Sequence, residues 1–200
     1  MIMNELRLAG VLTRTEVNGP GSRTVVWTQG CDLACPGCWS PHTHSTTEGY
    51  VVDAYAFAEK IAAETPTLKF TISGGEPFQQ VGGLALLIAG LRDNYADSII
   101  VYTGYTMKEL MQLPKKKNQH FSAADLLNRR GICCPDVLVS GRFNKNLPHG
   151  RELRSSSNQT LEFLTDRYSL KDFDVSNDFE VHASGDLSIT TGFPPNGVTR

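Results

Sequence analysis

The sequence predicts an α/β fold: a partial, open βα barrel of parallel strands with a C-terminal β-hairpin extension. Three observations predict it. Short β-branched and aromatic runs alternate with stretches of helical periodicity from about residue 24 to about residue 140, the pattern of parallel strands joined by right-handed crossovers. Four such strands are too few to close an eight-stranded barrel. Near the C-terminus the rhythm changes to two short strands around Ala183-Ser184-Gly185-Asp186, which reads as a hairpin.

Residues 5 to 17 alternate loosely as a first strand, closed by the turn Asn18-Gly19-Pro20-Gly21. Thr24 to Thr28 is the first strand expected to be buried on both faces. Asp53 reads as the N-cap of a helix to about Glu64, with Ala54, Phe57, Ala58, Ile61 and Ala62 on one face. Leu68 to Ile72 is the next buried strand, and a helix from Phe78 to Asn94 follows it. Gly82 and Gly83 weaken the first turns of that helix by about 1 kcal/mol each. Ser98 to Tyr102 is a third strand, Thr106 caps a short helix to about Leu113, and Ser122 starts another towards Arg130. Asp136 to Val139 is the fourth parallel-type strand. Thr160 to Leu164 reads as a strand, and Phe179–Val181 with Leu187–Thr191 as the hairpin.

A chain of 200 residues, 40% hydrophobic, suits one domain over 1–200 with a substantial core. The core spans about 6–165, followed by an extension over about 166–200. With 19 basic and 21 acidic side chains the formal charge is −2, so nothing in the composition points to nucleic acid or an anionic membrane. The longest apolar block, Leu84 to Leu91, falls far short of the roughly 20 residues of a membrane span. The start, Met-Ile-Met-Asn-Glu-Leu-Arg, lacks a secretory pattern, so a cytoplasmic, reducing location is expected. Lys115-Lys116-Lys117 reads as a solvated loop, with a docking patch for an acidic partner as the other reading.

The densest chemistry lies in Cys31-Asp-Leu-Ala-Cys35-Pro-Gly-Cys38. Three thiolates at this spacing suit an iron–sulfur cluster, and a cubane usually takes four protein ligands. A three-cysteine loop leaves one iron open to a non-protein ligand. Zinc is the competing reading, since His42 or His44 would complete a Cys3His site. Cys133 and Cys134, two neighbouring thiols, cannot supply the four ligands of a second cluster and read as small buried residues.

The four strand ends carry the cysteine loop, Ser73-Gly74-Gly75-Glu76-Pro77, Thr103-Gly104-Tyr105 and Ser140-Gly141-Arg142. Ligands collect at the carboxyl ends of parallel strands, so these features converge on one rim. Gly74-Gly75 permits close backbone approach, and Glu76 adds a carboxylate suited to an ammonium group.

The combination of Gly30-Cys31-x3-Cys35-Pro-Gly-Cys38-Trp39 with Ser73-Gly-Gly-Glu-Pro77 resembles the radical S-adenosylmethionine superfamily. Within it the likeness is to the activating enzymes of anaerobic ribonucleotide reductase, the glycyl-radical-activating type. Val101–Thr106, Asp136–Phe143 and Ser156-Ser157-Asn158-Gln159 agree, and the likeness covers roughly residues 6 to 165. The resemblance implies that Cys31, Cys35 and Cys38 hold three irons of one [4Fe-4S] cluster, with S-adenosyl-L-methionine on the fourth. It implies that Gly74, Gly75 and Glu76 receive the amino group, that the backbone at Trp39 meets the adenine, and that Thr103 reaches the ribose. It implies no catalytic side chain beyond the cluster ligands. The implied partners are a glycyl radical enzyme of the anaerobic ribonucleotide reductase kind and a flavodoxin- or ferredoxin-type electron donor.

Two other functions stay open at this point: a radical enzyme acting directly on a small molecule or peptide, and a non-enzymatic zinc or iron–sulfur module. Gly37 stands where much of the superfamily has an aromatic residue, and residues 170 to 200 have no counterpart in the likeness. Arg142, Arg151 or Arg154 would suit the methionine carboxylate. His42 and His44 read as loop residues covering the cluster and Trp27 as core. Asn158 and Gln159 would bond either the ligand or nearby backbone.

Overall fold

The computed structural model describes residues 4–115, 120–128, 131–147, 152–173, 178–184 and 187–193. Strands β1 (Glu5–Thr15) and β2 (Arg23–Thr28) form an antiparallel pair. A third strand, β3 (Tyr50–Asp53), pairs antiparallel with the outer side of β1. Its four residues, mostly exposed, carry too little periodicity to be read from sequence, and it is absent from the expectation. Asp53 ends it and caps α1 (Ala54–Glu64), its carboxylate accepting from the Ala56 amide at 3.0 Å.

Strand β4 (Lys69–Gly74) lies parallel to β2, and β5 (Ser98–Thr103) parallel to β4. Between them runs α2 (Val81–Asp93), preceded by a 3-10 turn over Pro77–Gln80. The expected single helix from Phe78 is therefore split, because Pro77 and Glu76 begin a tighter turn before Val81. Two short helices follow β5. In α3 (Met107–Gln112) Thr106 and Glu109 form a reciprocal capping box, as do Ser122 and Asp125 in α4 (Ala123–Leu126). The α4 helix stops at Leu126, short of its expected end near Arg130, which lies outside the described residues. Strand β6 (Val137–Ser140) is parallel to β5, and β7 (Thr160–Phe163) closes the edge antiparallel.

The result is one seven-stranded sheet, ordered β3-β1-β2-β4-β5-β6-β7. Its four central strands are parallel, as expected, and the flanking strands pair antiparallel, which makes the sheet mixed. The hairpin of β8 (Phe179–Ser184) and β9 (Leu187–Gly192) forms a separate two-stranded ribbon.

Alternation along the strands sends side chains to two cores. Ile99, Val101 and Leu138 face α1 and α2, packing with Leu84, Leu87, Ile88 and Ala58. Ile100, Val137 and Val139 face the other way and meet Leu153, Phe173 and Phe193. Phe173 and Phe193 belong to the C-terminal extension, so that segment covers the sheet face opposite the helices. Among the described residues no helix is long and apolar enough to cross a membrane.

Candidate iron–sulfur and nucleotide site

One pocket gathers the carboxyl ends of the parallel strands. Cys31, Cys35, Cys38, Gly74, Gly75, Glu76, Trp39 and Thr103 all line it. Its empty space, open mouth included, is about 930 Å³. The three cysteines and the five residues assigned to the nucleotide thus border the same space.

The cysteine loop is irregular backbone held by its neighbours. The Gly30 and Cys31 amides donate to the Thr43 and His44 carbonyls at 2.8 and 3.1 Å. The Gln29 carboxamide donates to the His42 and Ser45 carbonyls at 3.1 and 2.8 Å. Gln80 in turn donates to the Gln29 carbonyl at 2.9 Å. Within the loop the Cys38 amide donates to the Cys35 carbonyl, and the Ser40 amide points at Cys38 Sγ at 3.4 Å. Neither glutamine was singled out from sequence. A long polar residue directly after a buried strand, as Gln29 follows β2, was the available signal.

Gly74 and Gly75 explain themselves sterically. Gly74 has φ of 101°, and a Cβ there would stand 2.5 Å from the Thr28 carbonyl oxygen. A Cβ on Gly75 would stand 2.4 Å from the Gly30 carbonyl oxygen. The Gly75 and Glu76 amides donate to the Thr28 and Gly30 carbonyls at 2.7 and 2.9 Å. The glycine pair therefore pins the β4 turn against the start of the cysteine loop.

Glu76 is 1% exposed and binds the next strand end as well. It accepts from the Phe78 amide at 3.0 Å, the Thr103 hydroxyl at 2.8 Å and the Gly104 amide at 2.7 Å. Burial pushes its carboxyl up to about 7, against the pull of those donors and of Arg142. The Thr103 hydroxyl also accepts from the Tyr105 amide at 3.1 Å, so that side chain is engaged inside the protein.

The donor set suits a cluster. Burial pushes the Cys31 thiol up to about 11, and Glu76, Cys35 and Cys38 add to the rise. Such a site favours the neutral thiol until a metal displaces the proton. Three half-buried thiols line one pocket, a donor set that suits an iron–sulfur cluster. His44 lines the pocket and lends its carbonyl to Cys31, and His42 lends its carbonyl to Gln29.

Trp39 packs on Phe143 with ring centroids 5.1 Å apart and on Phe193 at 6.0 Å, edge to face. The three rings form an aromatic wall of the pocket. Trp27 is half-buried and also lines the pocket, where a core position was expected. Small Gly10 on the adjacent strand leaves room beside its ring. The arginines considered for a carboxylate are engaged elsewhere. Arg142 bonds both Glu109 oxygens at 2.8 Å and lies 5.5 Å over the Tyr105 ring. Arg154 pairs with Glu152 at 2.9 Å, and Arg151 lies outside the described residues. Asn158 and Gln159 bond backbone: their amides donate to the Arg142 and Gly141 carbonyls at 2.8 and 2.9 Å. Cys133 and Cys134 are buried under the helical layer, away from the pocket.

Fold and donor set together define an iron–sulfur protein, and the chain belongs to the family described as the 4Fe-4S single cluster domain, whose model matches residues 17–162. Its [4Fe-4S] cluster fits Cys31, Cys35 and Cys38. Among curated proteins the chain is similar to the anaerobic ribonucleoside-triphosphate reductase-activating protein of Enterobacteria phage T4. That relative is 27% identical over 155 residues, which is 75% of this chain and 89% of the phage protein. The protein of the same name from Escherichia coli (strain K12) is 29% identical over 157 residues, 74% of this chain and 92% of its own length. The one from Vibrio cholerae serotype O1 is 28% identical over 158 residues, covering 74% and 92%. Among solved structures, QueE from Escherichia coli aligns over 51% of this chain and 54% of its own, at 19% identity and a TM-score of 0.42.

Proposed function

We propose that this chain is a radical S-adenosylmethionine enzyme that installs a glycyl radical on an anaerobic ribonucleoside-triphosphate reductase. The observation that carries the reading is the shared pocket: three cysteines and the Gly74-Gly75-Glu76 turn line one space at the carboxyl ends of the parallel strands. Kinship with reductase-activating proteins over three quarters of the chain supports the choice of partner. In this reading the open sheet is an incomplete βα barrel, the location is cytoplasmic, and a flavodoxin- or ferredoxin-type protein delivers the electron.

Each residue then has a task. Cys31, Cys35 and Cys38 hold the cluster and leave one iron for the amino acid end of S-adenosylmethionine. Gly74, Gly75 and Glu76 form the surface beside that end, and the Thr103 hydroxyl holds the Glu76 carboxylate in place. Trp39, braced by Phe143, bounds the nucleoside side and excludes water. When bound, the cofactor pair would supply reductive one-electron cleavage of the sulfonium, the chemistry needed to remove a hydrogen atom from a glycine Cα of the partner.

Anaerobic reconstitution tests this directly. About four irons and four sulfides per chain are expected, with dithionite-dependent release of 5′-deoxyadenosine and a glycyl radical signal in electron paramagnetic resonance once the reductase is added. One tightly held zinc without sulfide overturns the reading. A second reading, direct modification of a small molecule or peptide, draws on the way Gly192 and Phe193 close one side of the pocket. Turnover that needs no macromolecular partner would favour it.

A further inference from the structure

A second hollow lies on the outer side of the cysteine loop, and Cys35 borders both spaces. Cys31 and Cys38 line the inner pocket alone, whereas Cys35, Leu33 and Phe143 line the inner pocket and the outer hollow. Pro36 lines the hollow as well, and it and the adjoining Gly37 are exposed. Cys35 is thus the cluster ligand at which the pocket and the outer surface adjoin.

The hollow is cationic in a chain whose formal charge is −2. Arg142 and Lys145 line it, and among the described residues no aspartate or glutamate does. Glu109 braces Arg142 at 2.8 Å and keeps its guanidinium charged, with Cys35 adding to that pull. The uncompensated charge is therefore the exposed Lys145, which has no ion-pair partner among the described residues. Its stem lies against the cysteine loop: a Cβ on Gly37 would stand 3.0 Å from Lys145 Cδ and 3.4 Å from Lys145 Cβ. A stem packed in this way carries its ammonium out to water beside the loop. Asp32, the acid of that loop, bonds Gln79 and does not line the hollow.

We infer that this hollow is the docking face for a small acidic one-electron-carrier protein, held by Lys145, and that the electron enters past Cys35. The inference rests on the function proposed above, which needs a reductant at the cluster. In the step the carrier is oxidised by one electron and the cluster is reduced by one, and no bond is made or broken at this face. Charge complementarity decides the class of partner. A protein rich in carboxylates is repelled by the net negative charge of the chain and drawn to a patch that carries cations without acids. A small anion would need both cations to converge on it, and Arg142 is already engaged by Glu109. Electron-transfer complexes are among the smallest and most transient interfaces, so one exposed cation beside a shallow hollow suits such a partner.

The test titrates the reconstituted holoprotein anaerobically with the flavodoxin and the ferredoxin of the same organism. Lys145→Glu is expected to weaken carrier binding roughly tenfold, and Lys145→Arg to restore it to within about twofold. Lys60→Glu on α1 makes the same change of net charge on the helical layer, and is expected to alter binding by less than about twofold. Iron content, the Kd for S-adenosylmethionine and the rate at which dithionite bleaches the cluster should match wild type in Lys145→Glu, because dithionite needs no docking face. Unchanged carrier binding in Lys145→Glu overturns the inference, as does an equal loss in Lys60→Glu, which would mark a long-range charge effect. Slower bleaching by dithionite also overturns it, by making Lys145 a support of the cluster itself. A defect confined to reductase binding or to oligomeric state overturns it too, by giving the face to the reductase or to a second copy of the chain. A wild-type holoprotein that cleaves S-adenosylmethionine with dithionite yet binds neither carrier overturns this inference alone. One that holds no cluster overturns the function proposed above, and this inference with it.

Discussion

The five cysteines divide between the two ends of the parallel strands, and the division separates two kinds of chemistry. At the carboxyl ends, Cys31, Cys35 and Cys38 sit half-buried on irregular backbone facing a pocket. At the amino end of β6, Cys133 and Cys134 are buried, and Cys134 Sγ donates to the Pro135 carbonyl. Charged groups divide the same way. Near the amino ends, fully buried Arg23 is satisfied inside the protein, donating to the Phe70 carbonyl, Thr71 and Ser98. Asp136 accepts from Arg92 at 2.8 Å, the Ile99 amide at 2.7 Å and Thr165 at 2.7 Å. At the carboxyl ends, Glu76 ties three segments together yet still borders open space. One end is a sealed network, and the other keeps three half-buried thiols facing a pocket.

The largest expected contrast is between cysteines. Cys35→Ala should abolish cluster loading and cofactor cleavage, whereas Cys133→Ala should retain both and lose only about 1–2 kcal/mol of stability. Iron, sulfide and 5′-deoxyadenosine assays check the pair, and loss of cleavage in both variants would break the division. Next in size is the sealed end. Asp136→Ala leaves the buried Ile99 amide without its acceptor and Arg92 without its carboxylate, though Arg92 keeps the Ala96 and Cys134 carbonyls, and should cost about 3 kcal/mol in urea unfolding. Its folded fraction should still load iron.

The smallest effect concerns Glu76 and pH. The folded protein holds this proton to about pH 7, whereas the ordinary carboxyl releases it at 4.5. Between those values the folded state binds more protons, so stability of the ligand-free protein should fall as pH rises and level off above about 7. The full decline is on the order of 3 kcal/mol. Glu76→Gln should flatten it in urea titrations run from acidic to neutral pH. An unchanged slope would place the titrating group elsewhere.

Much of this molecule follows from short-range patterns in its chain. The cysteine spacing lies within eight residues, Asp53 and Thr106 cap their helices as expected, and β-branched runs mark the four parallel strands. Each of these signals is local, set by covalent spacing or by hydrogen bonds to residues a turn away. Gly74 and Gly75 were recognisable as special, but their steric reason, the carbonyls of Thr28 and Gly30, lies more than forty residues earlier in the chain. Edge strand β3 stayed hidden because an exposed four-residue strand owes its existence to the partner it pairs with.

Spacing and residue type by themselves determined the three-cysteine loop, the order of the four parallel strands and the rim on which these features meet. Only the tertiary structure decided which polar groups the protein consumes internally, as with Thr103, Arg142 and Gln159, and which it leaves for a ligand. It alone brought Thr191 onto Asn18 across 173 residues. Such pairings arise when distant segments fill the same sheet face, and a contact made by packing leaves no periodic trace along the chain.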